Sequence, residues 1–325
     1  MEPGPKIEFL EDEPISAFLP YASLIFVCAS INIICFANIL EHFVFPWLYS
    51  ATWTYLRAES QERRRRSFTY HHVAVVFMSI LFVFAIYPMY LFIIGEGSNL
   101  STAAWRGRRL HITTGDLLLV VAQVYCAYYV FELAFRVKFI SAISAAHHIG
   151  LLIITQTALV LSVNFAGKHS DATIEFYMCI VWGAFDIVAE IPLHTAMIYW
   201  RVRRSGDRRR LMHIAYGCYL WQVLMSAGET GLTIYLLKVS WPRWVLAWRV
   251  VTPVVFTLWI ATQIYGATLL LKMGNEERRA LKSKAALVDD GGPGLEPMTM
   301  EEALVMAQNG WGLFWHSGSD PDGSK

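Results

Sequence analysis

Seven stretches of the chain carry few or no charged side chains: Tyr21–Trp47, Tyr70–Gly95, Asp116–Phe135, Ile143–Val163, Thr173–Trp200, Leu211–Leu237 and Trp248–Leu271. A bilayer core about 30 Å thick is crossed by roughly 20 apolar residues in helical form. Backbone facing lipid must close its own hydrogen bonds, which leaves helices or closed barrels. A barrel would read as short segments alternating apolar and polar, and no such alternation is present. The pattern therefore predicts an all-α fold, a multi-pass transmembrane helical bundle of about seven spans.

The charges between these stretches set an orientation. Arg57 and Arg63–Arg66 follow the first stretch, Arg136 and Lys138 the third, and Arg201, Arg203, Arg204 and Arg208–Arg210 the fifth. Lys272, Arg278, Arg279, Lys282 and Lys284 follow the last. The alternate segments hold fewer: Lys6, then Arg106, Arg108 and Arg109, then Lys168, then Lys238 and Arg243. The positive-inside rule then places the N-terminus on the lumenal or outer side and the C-terminus in the cytosol. Glu2, Glu8, Glu11, Asp12 and Glu13 precede the first stretch, so it does not read as a cleavable signal peptide. Trp47, Trp53, Trp105, Trp200, Trp241 and Trp244 fall near span ends, where an aromatic belt is expected.

Composition agrees and narrows the classes. Of 325 residues, 55% are hydrophobic and 16% charged, against about 25% charged in soluble domains. This excludes a disordered chain and a disulfide-built secreted module. A net charge of +1 suggests no nucleic-acid partner. Cys28, Cys35, Cys126, Cys179 and Cys218 all lie in apolar stretches, without CxxC or Cys/His ligand spacing, so they read as apolar fillers and no metal is expected.

Four regions follow: a lumenal N-terminal segment 1–20, a first span with its basic loop 21–59, a six-span domain 60–275 and a cytosolic tail 276–325. In the tail, Asp289–Gly294 has linker composition. Thr299-Met300-Glu301-Glu302 reads as a capping box opening a helix to about residue 308. Trp311, Phe314 and Trp315 beyond it suit a bilayer surface or the bundle. Asn99-Leu100-Ser101 is a glycosylation sequon, which makes Asn99 a candidate modified residue.

Ionisable residues inside a membrane are costly and are functional candidates by default. They gather toward the cytosolic ends of the spans: Glu41 and His42, His71 and His72, Glu132, His147 and His148, Asp186, Glu190 and His194, His213, and the polar Gln263. Glu229 and Arg249 are the main charges in the outer half. Asp186, Glu190 and His194 are spaced four apart and share a helix face. A histidine beside a carboxylate in low dielectric suits general-base chemistry. Glu41 and His42 read as a local pair at the rim, His71, His72 and His213 as interfacial histidines, and Glu132 as a partner for Arg136 four residues on.

The segment ELAFRVKFISAISAAHHIGLL (132–152) resembles the central signature of TLC-domain proteins, which include ceramide synthases and translocating-chain-associating proteins. FDIVAEIPLHTAMIYW (185–200), TQIYGATLLLKM (262–273) and SFTYHHVAVVF (67–77) resemble the family's acidic span, last span and opening. The ceramide synthases carry a His-Asp-x-x-Asp segment after the His pair; here the interval is longer and offers Asp186 and Glu190. The resemblance implies a TLC-like fold, an endoplasmic reticulum membrane location and the handling of acyl lipids, with an influence on membrane lipid composition. The alternative it implies is an acyl-CoA-dependent N-acyltransferase. In that reading His147, His148, Asp186 and Glu190 are the catalytic candidates, and Asp186 or Glu190 orients the imidazole. Glu132, His194 and Gln263 are the substrate-binding candidates. No resident cofactor is implied, acyl-CoA being a co-substrate. The expected partners are membrane or acyl lipids, with homo- or hetero-oligomers open. A seven-span receptor is disfavoured by the absence of Asp/Glu-Arg-Tyr in span 3 and Asn-Pro-x-x-Tyr in span 7. A transporter is disfavoured by the absence of repeated, broken spans.

Overall fold

The computed structural model describes residues 15–93, 100, 103–106, 111–140, 142–163, 170–202 and 207–289. Asn99, the first fourteen residues, and the tail from residue 290 with its expected capping box and aromatic trio lie outside the described residues. The chain forms two compact units, Met1–Val202 with Cys218–Thr268, and Arg203–Gly217 with Leu269–Lys325.

Helices make up nearly all of the described chain: α1 Ala22–Ile39, α2 Phe45–Leu48, α3 Ser50–Leu56, α4 Glu62–Ile93, α5 Thr114–Phe135, α6 Ala142–Val163, α7 Ser170–Val202, α8 Arg208–Ser240 and α9 Leu246–Asp289. Six segments are long and apolar enough to cross a membrane: Leu19–Leu48, Glu59–Tyr90, Thr114–Phe135, Ala142–Leu161, Ile174–Val202 and Leu246–Ser283. This is the make-up of an integral multi-pass membrane protein. The remaining expected span, in α8, is long enough at 33 residues but falls outside the six. Its sequence mixes apolar residues with Gln222, Glu229, Thr233 and Ser240, all buried in the protein.

In the larger unit α4 packs most extensively on α7, α1 on α5, and α6 on α7. Its core is continuous from Ile33 and Phe45 through Tyr128 and Ile154 to Trp182 and Trp259. A hairpin that the hydropathy pattern did not predict, β1 Ala103–Arg106 antiparallel to β2 His111–Thr113, leads into α5. At this junction Thr113 and Asp116 form a reciprocal capping box, which satisfies N–H groups left open at a helix start. Asp116 also accepts from Ser16 Oγ at 2.6 Å and from the Ala17 N–H at 3.0 Å. The N-terminal segment is thereby clasped to the start of α5. Gly115 is required here: a Cβ would lie 1.8 Å from the Ile15 carbonyl oxygen.

Proline shapes two helices. Pro46 has no N–H, and the turn before it, Leu40–Val44, widens to a π-helix, a common response to a broken i→i−4 ladder. Pro192 inside α7 leaves the Val188 carbonyl open, and Trp221 Nε1 on α8 donates to it at 3.1 Å. Contrary to the loop expected at Arg63–Arg66, these residues form the first turns of α4. Arg66 pairs with Glu62 at 3.0 Å and donates to the Phe135 carbonyl at 3.0 Å. The aromatic belt is only partial. Trp47 and Trp241 are exposed, whereas Trp53, Trp200 and Trp244 are buried against the protein, and the side chain of Trp105 is outside the description.

In the smaller unit, Tyr216 Oη donates to Asn275 Oδ1 at 2.8 Å, and Arg208 lies 3.7 Å from Glu277. The expected domain edge at residue 275 is not a helix end. α9 runs on to Asp289 because the Glu-, Arg-, Lys- and Ala-rich stretch after Gly274 consists of strong helix formers.

Candidate functional site

The site begins with one face of α5. Tyr125, Tyr128, Tyr129, Glu132 and Arg136 follow at helical spacing, and the first four are buried. On the facing helix α7, Asp186, Glu190 and His194 recur four apart, with Asp186 and His194 buried. α4 contributes Ser67, Tyr70 and His71, α6 the pair His147 and His148, and α9 Trp259 and Gln263.

Two carboxylates organise these groups. Asp186 accepts from Tyr129 Oη at 2.9 Å and Tyr125 Oη at 3.2 Å on Oδ2, and from Trp259 Nε1 at 3.4 Å and Gln263 Nε2 at 3.5 Å on Oδ1. Gln263 is in turn hydrogen-bonded to Gln222 of α8. Four donors thus reach this one buried carboxylate and give both of its oxygens partners. Glu132 accepts from Tyr70 Oη at 2.8 Å and from Arg136 at 2.8 Å, the i, i+4 pairing the sequence suggests. Arg136 also lies over the Tyr70 ring, 4.4 Å from its centroid.

The histidines fall into two groups. His148 lies with Nδ1 3.5 Å from Glu132 Oε2 and stacks on the Tyr129 ring at 4.4 Å between centroids. His147 is buried beside it, rings 5.3 Å apart, with no hydrogen-bond partner for Nδ1. The carboxylate beside the His pair is therefore Glu132; Asp186 touches tyrosine, tryptophan and glutamine, and Glu190 belongs to the second group. There, His71 Nδ1 and His194 Nδ1 are 2.8 Å apart, one ring donating and the other accepting. His194 Nε2 lies 3.3 Å from Glu190, His71 Nε2 lies 3.3 Å from Ser67 Oγ, and Arg201 donates to Ser67 at 2.9 Å. His71, expected at the interface, is thus a buried member of a five-residue chain of polar contacts.

Other expectations resolve differently. Glu41 and His42 do not pair. Glu41 accepts from Thr69 at 2.7 Å, and His42 is exposed with Nδ1 against the Asn38 carbonyl at 2.9 Å. His72 packs among Phe45, Tyr49 and Phe68, and His213 is exposed. Among the described residues no cluster of three or more His, Cys, Asp or Glu side chains is arranged to hold a metal ion.

A small cavity of about 30 Å³ lies between α4, α5, α6 and α7. Its walls are largely apolar, including Met89, Val121, Leu151, Ile180 and Trp182, and Asp186 with Tyr125 and Tyr129 forms a polar end. Cys126, Cys179 and Thr155 also line it. Tyr70, Tyr125, Tyr129, Trp259 and Gln222 were not singled out from sequence. The signal was present for the tyrosines: Tyr125 and Tyr129 precede Glu132 on one helix face.

These features define a polytopic helical membrane protein with a buried carboxylate–tyrosine–histidine network beside an interhelical cavity. No family model, curated protein or solved structure matches the chain.

Proposed function

We propose that this is a seven-span, TLC-like protein of the endoplasmic reticulum membrane, N-terminus lumenal and C-terminus cytosolic, that binds or handles acyl lipids and influences membrane lipid composition. The observation that carries the reading is the lining of the cavity: apolar side chains from four helices that would meet hydrocarbon once the helices part, with Asp186, Tyr125 and Tyr129 beside them to meet a polar group. In the seven-span reading α8 crosses as well, its buried Gln222 and Glu229 turned from lipid. The test is lipid analysis of the purified protein beside Gly183→Leu, which places a side chain in the cavity wall. An acyl lipid retained by the wild type and reduced at least tenfold in a variant of equal thermal stability supports the proposal. Equal lipid in both, or none in either, overturns it.

The second reading, N-acyl transfer, is favoured by the placement of His147 and His148. In it, an amine nitrogen attacks the thioester carbonyl of acyl-CoA, an N–C bond forms and the C–S bond breaks. A histidine of the pair takes the amine proton and returns it to the departing thiolate. Glu132, at 3.5 Å from His148, would stabilise the charged ring. Protein in lipid nanodiscs, given labelled acyl-CoA and long-chain amines, should form amide with the wild type and none with His147→Ala/His148→Ala. Absence of product from both excludes this reading for the amines tested.

A further inference from the structure

The first span exposes more than an apolar surface. Along α1, Cys28 and Cys35 lie on the exposed side, seven residues apart and so on nearly the same line. Leu24 and Ile31, 61% and 55% exposed, complete a 4-3-4 spacing with them. Asn38, three residues beyond Cys35, continues that line, and Asn32 lies to one side of it; both are exposed. Each asparagine donates one N–H to its own helix, to the Cys28 carbonyl at 2.8 Å and the Ile34 carbonyl at 2.9 Å. Both asparagines lie on the exposed side of the helix, and each amide keeps a second N–H and a carbonyl oxygen beyond that bond. Asn32 sits close to the middle of the Leu19–Leu48 segment, where lipid offers no hydrogen bond.

We infer that this face of α1 is a dimerisation seam whose occupant is α1 of a second copy of this chain. Two copies inserted the same way place their first spans parallel and at equal depth. Cys35 then meets Cys35 and Asn38 meets Asn38, with Asn32 at the rim of the seam. An amide is both donor and acceptor, so the stripe is complementary to itself across a two-fold axis. The 4-3 spacing is that of a left-handed helix pair, and the small side chains at 28 and 35 permit close approach. The seam uses none of the residues of the cavity or the histidine network, so it stands or falls separately from the proposed function.

The test combines crosslinking with a lipid-phase equilibrium. In native membranes, copper-phenanthroline oxidation should give a disulfide-linked dimer of the wild type, and Cys28→Ser/Cys35→Ser should abolish it. Ile34→Cys in that double-serine background, turned about 100° from position 35, should crosslink at least tenfold less. In dilute vesicles, single-molecule photobleaching should show dimers of the wild type, and Asn32→Leu/Asn38→Leu should weaken the dissociation constant by about threefold to thirtyfold. Equal crosslinking at position 34, an unchanged dissociation constant in the leucine variant, or a purely monomeric wild type in lipid overturns the inference.

Discussion

α1 and α5 are both apolar enough to span a membrane, yet only 17% of the most apolar window of the first span is buried in the protein against 67% for α5. The difference lies in what each carries besides hydrocarbon. α5 holds Gln123, Tyr125, Tyr128, Tyr129 and Glu132, all buried, and each finds company there. Gln123 accepts from Gln156 at 3.2 Å, Tyr125, Tyr129 and Glu132 belong to the carboxylate network, and Tyr128 packs its ring against Tyr70, Tyr125 and Tyr129. α1 holds Leu, Ile, Val and Cys on an exposed surface, and among the described residues its asparagine side chains bond their own helix backbone. In a bilayer hydrocarbon does not distinguish inside from outside, since lipid is as apolar as leucine; polar side chains do.

The comparison breaks most visibly at Glu132. Glu132→Leu removes the shared acceptor of Tyr70 and Arg136 and leaves a largely buried guanidinium unpaired, which costs about 3–5 kcal/mol. Thermal unfolding in mild detergent should fall sharply; a variant melting with the wild type would mean the pair is not part of what holds α5 inside. Tyr129→Phe withdraws the shortest donor to Asp186 and should cost about 1.5–3 kcal/mol by the same measurement. Gly115→Ala forces a Cβ against the Ile15 backbone and should cost about 1–3 kcal/mol. Its signature is local: faster amide exchange at residues 16–18, with the histidine network unaltered. On α1, Val27→Ala at a 50% exposed position should change stability by less than about 0.5 kcal/mol. A large loss there would show that the face is covered beyond the narrow seam inferred above.

Much of the bundle was legible because hydropathy and length decide spanning, and those are properties of one segment at a time. α8 reads as a seventh span in the sequence, but it is not among the six membrane-length apolar segments, because its buried Gln222, Glu229, Thr233 and Ser240 dilute the apolar signal. The candidate residues were found as costly intramembrane charges, but their partners were not. His148 lies beside Glu132 and His71 beside His194 through contacts between helices, and nothing in the spacing along one chain reports which helix faces which. The four-residue recurrence of Asp186, Glu190 and His194 was read correctly as one face. It gave no sign that its first member would be surrounded by tyrosines and that its last would meet His71 and Tyr70 of α4. The β1–β2 hairpin was missed because its strands are too short to imprint an alternation.

The clasp between Ser16 and Asp116 joins groups one hundred positions apart. During synthesis the first span must wait for the third before its leading end can be fastened. At about 5–20 residues per second the interval is about 5–20 s. For that time the nascent chain presents Ile15 and Ser16 unfastened, and the hydrogen bond at residue 116 marks the moment when the first half of the bundle is complete.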